Sequence, residues 1–427
     1  MPSRSATDPR PVSAVSAGVG VAGLVGLVLW TIFAWNDAMD GPFAAMAAVL
    51  ACGVPMLLWS LLVDRVHRSP TTGIDWDKPL SPLRETWRGS VTKLVGLWTT
   101  WGLIALFYGI GRWYWAGNYL FAMRCMMVAL PLLLVLSVPY VLWIDRRLVE
   151  PKDGAWAFGH WLTGGALDRE RITEHLRAWA VKGFFLAFMV SVVPIGWAQV
   201  IAPGWDAFEN GPLRLIQWLV TTMFLADVTF ATVGYVLTMR PLDAHIRSAN
   251  PYAAGWLAAL ICYPPFTLMT DGGPLDYHPG SHDWTVWLWS WPGLQIVLGA
   301  GLVLLTFWYA WATVAFGLRF SNLTHRGILT HGPYRWTRHP AYLSKNLFWW
   351  ISGLPFFCSN GFVEGARNTA IMVLVSGVYY WRAKTEERHL MADPAYQAYA
   401  AWMDRNDLWA KLRGLLRRRA PALQPAE

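Results

Sequence analysis

Charge is in short supply in this chain. Of 427 residues, 15% are charged and 55% are hydrophobic. Length alone suggests two or three soluble domains, but a soluble core cannot hide that much apolar surface, whereas a bilayer can. Cysteine is scarcer still: Cys52, Cys125, Cys262 and Cys358 are far apart and form no Cys-x-x-Cys. Each falls in or beside an apolar run, so they read as small buried hydrophobes, not as a disulfide framework or a metal site. A cleavable leader is not expected either. Polar residues Met1 to Pro11 precede an apolar run that ends in Trp30, Phe33 and Trp35 without a small-residue cleavage site, the pattern of a retained first helix. No internal repeat and no low-complexity segment is visible.

Long apolar sequence is what the chain has in quantity, with 29 Trp. A spanning helix needs about 20 mostly apolar residues. Ten segments are candidates: Ser16–Trp35, Phe43–Val63, Leu94–Trp113, Tyr119–Ile144, Gly183–Ile201, Leu213–Leu237, Tyr252–Met269, Gly293–Gly317, Tyr342–Ser359 and Asn368–Trp381. The ninth is interrupted by Lys345 and the tenth is short. The expected fold class is therefore all-α, a polytopic integral membrane bundle of about ten transmembrane helices.

Basic residues fall in alternate connections. The Asp64–Lys93 and Asp145–Lys182 loops are rich in Arg and Lys, Arg240 and Arg247 follow the sixth run, and Arg319, Arg326, Arg335 and Arg338 follow the eighth. The loops Asn36–Gly41, Ala116–Asn118, Pro203–Gly211 and Asp271–Trp291 are poor in both. This asymmetry places both termini in the cytoplasm, consistent with an even number of spans; a bacterial inner membrane is the expected setting. The net charge of +8 is then topogenic charge beside lipid headgroups, and nucleic acid is not the expected partner. The tail after Asp407, with Trp409, Lys411, Leu412, Leu415 and Arg417 to Arg419, suits the bilayer surface, and Pro421 to Glu427 read as disordered. Asp276, His278, His282 and Asp283 match no ligand spacing, so a solvated polar loop is preferred there to a metal site. Asp227, midway along the sixth run, should face the bundle interior with a partner.

Two stretches carry the chemistry. The first, Gly327 to Asn346, is polar and lies directly before an apolar helix. Gly332-Pro333 signals a turn, His339 is biased to extended backbone by the following proline, and Pro340 suits the first position of a helix. The free N–H groups of that helix start favour an anionic group. The second stretch runs from Trp381 to Leu390. On a helix, Arg382 and Glu386 share a face, and Glu387 points about 100° away.

Together the stretches resemble the isoprenylcysteine carboxyl methyltransferase and phospholipid methyltransferase superfamily. The residues that carry the resemblance are Gly332, Tyr334, Arg338, His339, Pro340 and Tyr342, then Glu386 and Glu387, with Tyr396 and Tyr399 as a Tyr-x-x-Tyr ending. It spans roughly Leu302 to Met403; Ser344 stands where the family usually has glycine. The resemblance implies a methyltransferase that uses S-adenosylmethionine on a lipid or lipidated, isoprenylcysteine-like substrate at the cytoplasmic membrane face. It implies cofactor contacts from Leu329, Thr330, Gly332, Tyr334, His339, Pro340, Tyr342, Glu386 and Glu387, within a pocket wall that starts at Arg326. Arg338, His339 and Arg382 are its implied catalytic residues, Arg382 facing the substrate. No metal is implied.

Residues 1–290 then form an N-terminal membrane region of unknown role, 291–412 the methyltransferase-like domain and 413–427 the basic tail. Two alternatives stay open. A sterol-reductase-like enzyme using NADPH shares the Arg-His-Pro-x-Tyr element but lacks the Glu-Glu pair, and Ala341 replaces its usual asparagine. A transporter or scaffold that has kept the fold is the other.

Overall fold

Lipid offers the backbone no hydrogen-bond partners, so apolar runs fold as helices that satisfy their own. A computed structural model describes residues 10–411; the basic tail from residue 413 lies outside them. Its helices are α1 (Ala17–Asn36), α2 (Pro42–Leu58, continued as a wider turn to Val63), α3 (Leu83–Ile110), α4 (Tyr119–Ile144), α5 (Gly154–Leu162), α6 (Arg169–Ile201), α7 (Asp206–Glu209) and α8 (Pro212–Val236). After them come α9 (Ala253–Leu260), α10 (Trp284–Trp287), α11 (Pro292–Phe316), α12 (Pro340–Gly353), α13 (Phe362–Leu390) and α14 (Pro394–Asn406). Local chemistry sets the starts. Asp153, Asp168 and Asp393 cap α5, α6 and α14 with side-chain acceptors, and proline opens α2, α8, α11, α12 and α14.

Seven helices among the described residues are long and apolar enough to cross a membrane: α1, α2, α3, α4, α6, α8 and α11. The protein is an integral membrane helical bundle. The remaining three expected spans take other forms. In the seventh, helix α9 stops after eight residues, ahead of Pro264-Pro265, which cannot donate backbone hydrogen bonds. The ninth, α12, has 14 residues. The tenth lies within α13, whose 29 residues run well past the apolar centre into charged sequence at both ends.

These three segments nevertheless run between the two ends of the bundle. At one end, β1 (Ser248–Ala249) pairs antiparallel with β2 (Thr324–His325), just after α11. At the other, Ser359 N donates to Gly280 O at 2.8 Å and Ser281 Oγ to Gly353 O at 2.9 Å. Helix α11 separates those ends by about 37 Å, at 1.5 Å per residue. Irregular backbone at that depth is tolerated where protein covers it, and α13 packs against α9.

Small residues let helices approach closely. A Cβ on Gly96 of α3 would fall 2.0 Å from Ala155 O of α5, and one on Gly159 of α5 would fall 1.8 Å from Thr92 O of α3. Helix α8 packs between α6 and α11, so the expected N-terminal and C-terminal regions share one core. Asp227 of α8 is buried and accepts from Tyr309 Oη at 2.8 Å and from Thr313 Oγ1, both on α11.

Candidate active site

The site is built where α11 ends. Gly317, at φ 53°, takes the left-handed backbone that stops the helix and turns the chain. The segment that follows is fastened by two buried arginines. Arg319 Nη2 donates to Asp243 Oδ2 at 2.7 Å and its Nη1 to Arg326 O at 2.8 Å. Arg326 spreads its guanidinium over five backbone carbonyls: Ala244 O at 2.7 Å, Gly234 O at 2.9 Å, Phe320 O and Leu318 O at 2.8 Å, and Leu237 O at 3.1 Å. Gly234 O and Leu237 O lie at the C-terminal end of α8, where a cation is favoured by the helix dipole. Arg326 thus holds the wall in place.

An N-terminal strap lies along the outside of the same segment. Ala14 N donates to Ile328 O at 2.9 Å, Thr330 Oγ1 to Pro11 O at 2.8 Å, and Ser13 Oγ meets His331 Nδ1 at 2.7 Å. Arg10 lies over the Trp402 ring, 5.2 Å from its centroid.

Helices α12 and α13 bring the two chemical stretches together. His339 Nε2 lies 3.0 Å from Glu387 Oε1, with Arg338 Nη1 at 3.8 Å from the same oxygen, and Lys384 Nζ donates to Glu387 Oε2 at 2.8 Å. Burial alone would raise the Glu387 carboxyl; the hydrogen bonds from His339 and Lys384 outweigh it and hold the group at about 2. Glu387 is therefore ionised, and His339 Nε2 is the donor of their hydrogen bond. One helical position away, Glu386 accepts from Tyr342 Oη and sits 3.5 Å from Arg382 Nε. Arg382 is buried, donates from Nη2 to Asn322 Oδ1 at 2.6 Å, and packs over the rings of Tyr263 and Tyr342 at 5.5 and 5.2 Å. Tyr399 Oη donates to Tyr334 O at 2.8 Å and ties α14 across the top.

These residues surround one cavity of about 180 Å³, against roughly 10–15 Å³ for a single water. It is ligand-sized. Of the residues named from the sequence, Arg326, Leu329, Tyr334, Arg338, His339, Pro340, Tyr342, Arg382 and Glu386 line it, with Tyr396 and Tyr399. Thr330, Gly332 and Glu387 stand behind the lining. Thr330 is turned to the N-terminal strap. Gly332 makes the turn at φ 57°, with Trp311 and Ala315 beside the place of a Cβ. Glu387 reaches the cavity through His339 and Arg338. Ser344 is buried and donates to Pro340 O at 2.8 Å, inside its own helix.

The cavity also takes residues outside the motif, among them Tyr263, Tyr309, Thr313, Asn322, Lys345 and Tyr379. One had a signal in the sequence, Lys345, which interrupts an apolar run; Tyr309 and Thr313 are ordered by Asp227, which stands behind the lining. Tyr263 and Asn322 come from connecting segments with no recognisable pattern. At the opposite end of the bundle, Asp271, Asp276 and His278 lie within 4.8 Å of one another. Both Asp276 oxygens already accept from their own loop, from Gly272 N and from His278 N and Nδ1.

Residues 294–392 match the family described as isoprenylcysteine carboxyl methyltransferase (ICMT). The match covers less than a quarter of the chain and contains the start of α12, both glutamates and Arg382. No curated protein and no solved structure matches the chain. The family match thus falls on the C-terminal part, where the sequence resemblance was read.

Proposed function

We propose that the protein is an S-adenosylmethionine-dependent methyltransferase of the membrane that acts on a lipid or lipidated acceptor at the cytoplasmic face. The observation that carries this reading is the convergence of Arg338, His339, Tyr342, Arg382 and Glu386 on one ligand-sized cavity within the family-matched segment.

The lining chemistry fits such a cofactor. Glu386 supplies a carboxylate, and Tyr334, Tyr342, Tyr396 and Tyr399 supply aromatic faces that attract a cation. Adenosylmethionine, when bound, supplies an electrophilic methyl group on a sulfonium. The protein's part is to align donor and acceptor and to exclude water. The buried Arg382, steadied by Asn322 and Glu386, is suited to orient a carboxylate acceptor. A carboxylate needs no base, because it is already a nucleophile at neutral pH. An amine must lose a proton. Because His339 Nε2 is committed to Glu387, Nδ1 is the nitrogen available to take it. Support for the cytoplasmic face comes from the basic loops, since the strand pair and the Arg319–Asp243 link join two of them at the site end of the bundle.

The test is calorimetric titration of the detergent-solubilised full chain with adenosylmethionine and with NADPH, alongside an Arg338→Ala, Glu387→Ala double variant. Adenosylmethionine binding that the double variant loses is the expected result. NADPH binding in its place moves the protein to the reductase class. Binding of neither overturns the enzymatic reading.

A further inference from the structure

Among the described residues, one cation in the cavity is met by aromatic rings alone and by neither a hydrogen bond nor an ion pair. Lys345 lies five residues into α12, about 7.5 Å along the helix from Pro340, and lines the cavity. Its Nζ is held over three rings: Trp349 at 5.1 Å, Tyr309 at 5.5 Å and Tyr379 at 5.9 Å. Among the described residues it makes no hydrogen bond and no ion pair. Asp227 acts on it only through space: the two form no ion pair, and the Asp227 oxygens accept from Tyr309 and Thr313. Glu386 is the one carboxylate in the cavity lining, and Tyr342 and Arg382 already engage it. The other lining arginines are partnered: Arg319 by Asp243, Arg326 by carbonyls, and Arg338 by Asp404 and Ala400 O.

A charge at this depth in a membrane protein is costly and marks a binding path by default. Ring faces return only part of the hydration that an ammonium loses. The three rings fix the lysine's position without neutralising it, which leaves its charge available to a ligand. The surroundings are apolar and aromatic, with Phe224 packed on both Tyr309 and Phe348. An anionic group carried on an apolar chain matches both features.

We propose that Lys345, caged by Tyr309, Trp349 and Tyr379, binds the negatively charged headgroup (carboxylate or phosphate) of the lipid acceptor, and so sets which acceptors the enzyme accepts. This rests on the methyltransferase reading above. Lys345 is then a specificity residue distinct from Arg382, and an acceptor with a neutral or cationic headgroup is disfavoured.

The experiment uses the full chain in uncharged detergent, with laurate and dodecyl phosphate as probes, methyl laurate and dodecylamine as controls, and adenosylmethionine titrated separately. Wild type is expected to bind the two anions more tightly than the two controls. Lys345→Met should weaken the anions by about tenfold or more, ~1.4 kcal/mol, while leaving adenosylmethionine and methyl laurate unchanged. Lys345→Arg should keep anion binding. Retained adenosylmethionine affinity shows that the methionine variant is folded; if it does not fold, Lys345→Gln takes its place. Unchanged anion affinity without the lysine overturns the proposal. Loss of adenosylmethionine affinity with anion binding kept also overturns it, because Lys345 then serves the cofactor's carboxylate. Failure of wild type to bind adenosylmethionine at all is a failure of the underlying reading, and it is visible separately from the anion results.

Discussion

At the scale of single residues, the site combines groups whose charge state is set by neighbours. Glu386 has a hydroxyl and a guanidinium on it, from Tyr342 and Arg382. Tyr342→Phe removes the hydroxyl and keeps the ring. The expected cost is about 1 kcal/mol, roughly fivefold in adenosylmethionine Kd, read by calorimetry; an unchanged Kd would detach Glu386 from cofactor binding. His389, near the end of α13, meets Ser248 Oγ through Nε2 at 2.9 Å. Burial, and then His325, lower its imidazole from 6.5 to about 4. The folded protein keeps His389 neutral where the unfolded chain takes up a proton, so its contribution to stability is intact above pH 6.5 and is lost as pH falls toward 4. Thermal unfolding of wild type should therefore weaken more steeply between those pH values than that of His389→Gln. Parallel profiles would show that His389 is not the group responsible.

At the scale of elements, hydropathy made the long helices legible, because α1 to α4, α6, α8 and α11 are each apolar over a full span. It misjudged the segment from Tyr252, because an apolar run does not reveal that Pro264-Pro265 ends the helix early. It also cut α13 short at Trp381, because charged residues end an apolar run without ending a helix. The two motif stretches were readable since each is local. The partners that complete them were not: Asn322 and Tyr263 reach Arg382 from distant connections. The wall segment depends on Arg326, whose role as a clamp has no sequence signature. Arg326→Ala leaves five carbonyls without their donor and should cost about 3 kcal/mol or more, seen as a lowered Tm in detergent together with lost adenosylmethionine binding. Arg326→Lys is not expected to rescue it, since a single ammonium cannot reproduce the planar fork. Near wild-type Tm in the alanine variant would remove Arg326 as the clamp.

At the scale of the whole molecule, both described ends of the chain meet at the site end of the bundle, the first through Ala14 and Ile328, the last through Arg338 and Ala400. The exposed residues His282 and Arg335 belong to opposite ends. In a background without the four cysteines, His282→Cys and Arg335→Cys should react with an impermeant thiol reagent from opposite faces of the membrane, with Arg335→Cys on the cytoplasmic one. Labelling of both from one face would overturn the proposed topology. The strap at residues 10–16 sets a further condition. It bonds to backbone more than 300 positions later in the chain. During synthesis these residues must stay on the site side of the membrane until the helices between them and residue 328 have been inserted. The strap docks against the 328–330 segment only then, so this side of the site receives its backing late in biogenesis.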